Sequence, residues 1–206
     1  MAEPDQPQIY LITPSEIELS VFPALLSDML DSFEIACVRL ALASHDEARI
    51  ARAADACREV THARDVALVI ENHLMLVERL GLDGVHLADG ARHVRAARKA
   101  LGKDAIVGAF CGTSRHDGMT AGEAGADYVG FGPAGVSTLN DGSQAAPELF
   151  EWWSEMIELP VVAEGALDAD VISRLAPCTD FFGIGTEIWT SDDPRAALNA
   201  LIAALR

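Results

Sequence analysis

Short unbroken apolar runs alternate along this chain with longer stretches whose apolar residues recur at helical spacing. Gln8 to Thr13 reads as a first strand, stopped by Pro14, which cannot donate to a ladder. Ser20 to Leu30 follows as a helix with apolar positions 22, 25, 26, 29 and 30. Ile35 to Leu42 is a second strand, with Arg39 inside an otherwise apolar run. Ser44, with Glu47 three residues on, predicts a capping box. The helix behind it runs to about Thr61 and buries Ile50, Ala53, Ala54, Cys57 and Val60. Val66 to Ile70, Val85 to Leu87 and Ala105 to Cys111 read as strands three to five, separated by helices over Leu74 to Leu80 and Arg92 to Leu101. Ser114 to Ala124 reads as a helix weakened by Gly118 and Gly122. Tyr128 to Phe131 is strand six, broken at Gly132-Pro133, and the Gly/Ser/Asn-rich loop 134–146 after it is expected to act as a lid. A helix starts at Pro147, strand seven is Val161 to Ala163, and a helix spans Ala169 to Leu175. Strand eight is Phe181 to Ile184, and Asp193-Pro194 opens a last helix with the stripe Leu198, Leu201, Ile202 and Leu205.

One phrase recurs: a short apolar strand entered through Asp. It is seen in Asp83-Gly-Val-His-Leu87, Gly125-Ala-Asp-Tyr-Val-Gly-Phe-Gly-Pro133 and Thr179-Asp-Phe-Phe-Gly-Ile-Gly185. Repetition of this kind signals stacked βα units. Strands alternating with helices require parallel pairing through right-handed crossovers. The pattern predicts an α/β fold, a single closed (β/α)8 TIM barrel over residues 1–206. An open doubly wound sheet is the alternative, and the regular spacing of the units favours the barrel. No G-x-G-x-x-G follows a strand, so no dinucleotide fingerprint is present.

Charge narrows the function. The chain carries a net charge of −17, and its only lysines are Lys99 and Lys103. That excludes nucleic acid and anionic membrane surfaces as partners, because both need clustered cations. No window approaches the roughly 18 apolar residues of a membrane span. The start is polar and acidic without a secretory pattern, so a cytoplasmic location is expected. Cys37, Cys57, Cys111 and Cys178 lack metal-type spacing and read as buried free thiols. A small-molecule ligand is expected, and homo-oligomer formation is left open.

A barrel keeps its site at the C-terminal ends of its strands. The candidates there are Thr13, Arg39, Glu71, Asn72, His73, Asp89, Cys111, Thr113, Ser114, the 134–146 loop, Glu164 to Ala166 and Gly183 to Thr186. Gly165, Gly183 and Gly185 could hold phosphate through main-chain N–H groups, or simply make tight turns. Arg39 is costly inside an apolar run unless it faces a ligand or an ion-pair partner. Glu71, Asn72 and Asp89 could offer oxygens to Mg2+, or serve turns and caps. His86 reads either as a hydrogen-bonded core residue or as a catalyst. Cys111 has no obvious base and reads as inert.

Four segments, Ile9-Tyr-Leu-Ile-Thr13, Asp83 to Leu87, Gly125 to Pro133 and Leu159-Pro-Val-Val-Ala163, make the chain resemble the thiamine phosphate synthase / thiazole tautomerase family. The resemblance implies a (β/α)8 barrel that joins hydroxymethylpyrimidine diphosphate to thiazole phosphate, with Mg2+ holding the diphosphate. It places the family's Gln-x-Arg-x-Lys on Cys37-Val-Arg39-Leu-Ala41, keeping only the Arg. The Asn-Asp metal pair falls on Glu71-Asn72, or on Asn72-His73 with a one-residue shift. The second metal Asp falls on Ala91, with Asp89 two residues earlier. The family serine falls on Phe110, and the Thr-x-Thr-Lys lid on Ser137-Thr-Leu-Asn140, which offers Ser137 and Thr138 to a phosphate but no lysine. The Gly-Gly pair becomes Gly165-Ala166 behind Glu164, and the tautomerase His becomes Pro133. Two lysines and a metal carboxylate are thus replaced, and Glu164 and Glu187 add negative charge where a leaving diphosphate needs cations.

Overall fold

The computed structural model describes residues 6–136 and 143–205. The strands are β1 (Gln8–Ile12), β2 (Ile35–Leu40), β3 (Ala67–Glu71), β4 (Gly84–Leu87), β5 (Ile106–Phe110), β6 (Tyr128–Phe131), β7 (Val161–Glu164) and β8 (Phe181–Ile184). Each pairs in parallel with the next, and β8 pairs with β1, so the sheet closes in sequence order. The open-sheet alternative is thereby excluded. The helices are α1 (Phe22–Ser32), α2 (Glu47–His62), α3 (Leu74–Leu80), α4 (Val94–Leu101), α5 (Arg115–Ala124), α6 (Pro147–Met156), α7 (Ala169–Leu175), α8 (Thr186–Trp189) and α9 (Pro194–Ile202).

Strand periodicity divides the core in two. Outward positions such as Leu11, Val38, Leu68, Val85, Val129 and Phe182 pack against the helices in one continuous cluster. Inward positions Tyr10, Cys37, Val69, Tyr128 and Val162 form a separate cluster inside the barrel. Small residues admit the large ones there: a Cβ on Gly108 would lie 2.0 Å from the Tyr128 ring.

The recurring Asp has a structural reason. The carboxylates of Asp83, Asp127 and Asp180 accept the N–H groups of Leu68, Val107 and Val161 at 2.7, 2.7 and 2.8 Å. Each Asp precedes an even-numbered strand and clamps the start of the odd-numbered strand before it. A carboxylate accepting backbone N–H satisfies a donor that the ladder leaves open at its end.

Several local expectations shift. Asp46, not Ser44, caps α2, accepting from the N–H groups of Ala48 and Arg49. Ser44 instead accepts from the Asp46 N–H, and Glu47 pairs with Arg79. The 20–30 helix begins at Phe22. Gly118 has a packing role in α5: a Cβ there would lie 2.7 Å from Phe131 and 2.8 Å from Trp153, so its absence lets α5 sit close. The helix α8 has no counterpart in the sequence reading.

Candidate functional site

At the C-terminal end of the barrel interior, inward side chains turn from apolar to polar. Arg39 on β2 is 5% exposed and reaches across the barrel to β7. Its Nη1 and Nη2 donate to Oε2 and Oε1 of Glu164 at 3.0 and 3.1 Å. Among the described residues its Nε finds no hydrogen-bond partner, and Glu71 Oε2 on β3 lies 3.6 Å away. Burial opposes the charge on Arg39, but Glu164 and Tyr10 outweigh it and hold the guanidinium above its ordinary range. Burial raises Glu71, with Arg39 acting in the opposite direction. Gly183 makes this arrangement possible, because a Cβ there would lie 2.9 Å from the Glu164 Cβ.

A buried chain of hydrogen bonds runs from Arg39 into the barrel. Arg39 Nη1 lies 2.6 Å from His86 Nε2, His86 Nδ1 lies 2.9 Å from the Tyr128 hydroxyl, and that hydroxyl lies 2.6 Å from the Tyr10 hydroxyl. A guanidinium can only donate, so Nε2 accepts and the proton sits on Nδ1, which donates to Tyr128. Burial, with Arg39 adding to it, pushes His86 well below its ordinary pKa, so the ring is neutral. Burial likewise raises both tyrosines. His86 is therefore a hydrogen-bonded interior residue that fixes Arg39.

The proposed metal oxygens are already engaged. Asn72, at a left-handed φ of 59°, accepts the Ala88 N–H through Oδ1 at 2.9 Å. Asp89 pairs with His93 Nδ1 at 2.5 Å, and Glu71 faces Arg39. Among the described residues no group of three or more His, Cys, Asp and Glu could hold a metal ion. Mg2+ at Glu71, Asn72 or Asp89 would have to compete with these protein partners. Asn72, Asp89 and His93 instead line a cavity of about 560 Å³ between the ends of β3 and β4. A larger cavity of about 780 Å³ lies at the opposite end, against Gln8, Ile35 and Val66 at the strand starts, away from this cluster.

The loops after β7 and β8 meet through a carboxylate. Glu187, in α8, accepts the Leu167 N–H through Oε1 at 3.1 Å and the Gly185 N–H through Oε2 at 2.9 Å. Gly165 has a φ of 85° and its carbonyl accepts the N–H groups of Ala134 and Gly135, joining this loop to the one after β6. Ala166 also adopts a left-handed φ, 53°. Ser137, Thr138 and most of the expected 134–146 lid lie outside the described residues. Burial pushes Cys111 up to about 12, in keeping with an inert thiol. Sequence reasoning did not single out Tyr10 and Tyr128; the signal was the period of two that places them on the same face as Cys37 and Val162.

Fold and site together define a closed α/β barrel with a polar, anion-rich mouth ringed by the C-terminal strand ends. The family model described as thiamine monophosphate synthase matches residues 9–180, and the chain belongs to that family. It is 39% identical over 186 residues to a thiamine-phosphate synthase of Rhodospirillum centenum, covering 88% of this chain and 89% of that one. It is 36% identical over 207 residues to a thiamine-phosphate synthase of Erythrobacter litoralis, covering 97% and 96% of the two chains. Among solved structures, thiamine phosphate pyrophosphorylase from Pyrococcus furiosus superposes with a TM-score of 0.81 at 19% identity, covering 96% of this chain and 95% of that one. At that identity the match speaks for the fold alone.

Proposed function

We propose that the protein is a transferase of thiamine biosynthesis, of the thiamine-phosphate synthase type, working at the C-terminal mouth of the barrel. The observation that carries this reading is the similarity to named synthases over nearly the whole chain, at 36–39% identity. In the reaction the bond between the pyrimidine methylene carbon and its diphosphate oxygen breaks, and its electron pair leaves with the diphosphate. The thiazole ring nitrogen supplies the pair for the new C–N bond, giving a thiazolium. Arg39, Glu71 and Glu164 face this mouth. Arg39 is the cation there for the departing charge, and Glu164 already binds both of its terminal nitrogens.

That ion pair favours a second reading, in which the barrel binds a pyrimidine or thiazole without turning it over. The two are separated by incubating the protein with hydroxymethylpyrimidine diphosphate, a thiazole partner and Mg2+, and resolving the products by chromatography. Formation of a thiazolium product supports the synthase. Precursors recovered intact despite calorimetrically measured binding support the second reading.

A further inference from the structure

Resting on the synthase reading, we infer that Tyr128 is a positioning residue for the reaction: it fixes the tautomer of His86, which in turn holds Arg39 with its Nε edge free for the departing diphosphate. Arg39 Nη1 donates to both His86 and Glu164, and Nη2 donates to Glu164. Nε is buried and has no hydrogen-bond partner among the described residues. The edge of the guanidinium that carries Nε is therefore the one these contacts leave for an anion.

That arrangement needs His86 to accept at Nε2, 2.6 Å from Nη1. A neutral imidazole carries one N–H, and either ring nitrogen can bear it. The Tyr128 hydroxyl, 2.9 Å from Nδ1, gives the proton an acceptor on that side and keeps Nε2 bare. Without the hydroxyl the ring is free to carry its proton on Nε2, where it would meet the Arg39 donor and push the guanidinium away. A phenol suits this task better than a carboxylate. A carboxylate at Nδ1 would draw the ring towards its charged form, which has no acceptor and repels Arg39. Burial raises Tyr128, so its hydroxyl stays neutral, and its other polar neighbour is the Tyr10 hydroxyl at 2.6 Å. The Tyr10 ring lies under the same guanidinium, its centroid 5.7 Å from Arg39 Cζ. A purely structural hydroxyl would stabilise the barrel without deciding which nitrogen of His86 is protonated.

The test joins imidazole 15N NMR to steady-state condensation kinetics on the full chain and on Tyr128→Phe, which keeps the ring and its packing. Tyr128→Leu, which removes the ring as well, is the second variant if Tyr128→Phe does not fold. The His86 signal is assigned by its absence from His86→Gln. The wild-type ring is expected to be protonated at Nδ1 alone, and the variant to populate the Nε2–H form. In the variant kcat, per folded protein, is expected to fall by about tenfold or more while KM for the thiazole partner moves less than about threefold. A wild-type ring that is charged or protonated at Nε2 overturns the inference. So does an unchanged tautomer in the variant, or a variant that loses stability but keeps its kcat. A tautomer that shifts as expected in a protein without condensation removes the synthase reading and leaves the hold of Tyr128 on His86 intact. Condensation by a protein whose tautomer does not shift does the reverse.

Discussion

Arg39 and Glu164 meet across the barrel, guanidinium to carboxylate, through two N–H···O bonds of 3.0 and 3.1 Å. They are separated by 125 residues in sequence. A buried pair of this kind adds little over an apolar replacement, but losing one partner strands the other. Glu164→Ala is therefore expected to lower unfolding free energy by about 3–5 kcal/mol, and Arg39→Met by a comparable amount. The double replacement Arg39→Met/Glu164→Met should recover most of the loss. Urea denaturation gives the cycle, and strictly additive losses would remove the coupling.

Gly108 and Tyr128 are matched by size. An added methyl at Gly108 would sit 2.0 Å from the Tyr128 ring. Gly108→Ala is expected to cost about 3 kcal/mol or more by overpacking. In a Tyr128→Leu background the same change should cost at least about 1 kcal/mol less, because neighbouring sites couple. Equal costs in the two backgrounds would show that the ring is not the obstacle.

His86 carries a pH signature. Its folded pKa is depressed, so the unfolded chain takes up a proton that the folded chain refuses. Its contribution to stability is fully present above the unfolded pKa of about 6.5 and falls by up to about 1.4 kcal/mol per unit as pH drops below it. Glu71, with a raised folded pKa, acts in the opposite sense. His86→Gln keeps an acceptor for Arg39 and a donor for Tyr128 while removing the titration. Denaturation of both proteins at pH 7, 6 and 5 should show stability falling more steeply with decreasing pH in wild type than in the variant.

Magnesium should not stabilise the ligand-free protein. Asn72 and Asp89 direct their oxygens to Ala88 and His93, and Glu71 faces Arg39. A bound ion raises Tm by mass action, so adding millimolar Mg2+ or a chelator should move Tm by less than about 1 °C. A clear Mg2+-dependent rise would show that these side chains rearrange around a metal.

The sequence by itself determined the barrel and most of the element positions. These follow from local physics: apolar runs of strand length, helical stripes, and Gly and Pro punctuation. Even the Asp phrase was legible as a repeat, although the N–H groups it clamps belong to the preceding strand. The cap of α2 was misplaced because Ser44 and Asp46 both suit an N-cap, and only the backbone path separates them. The tertiary structure alone decided which polar side chains meet. Closure of β8 on β1, and an irregularity in the β1–β2 register between Ile9 and Tyr10, set which inward residues share a level. Arg39 could face a ligand or an ion pair in any sequence reading; only the closed ring brings Glu164, His86 and Glu71 to it. For the same reason Glu187 is merely an acidic residue in a short apolar stretch until the loops after β7 and β8 come together and give it two N–H groups to hold.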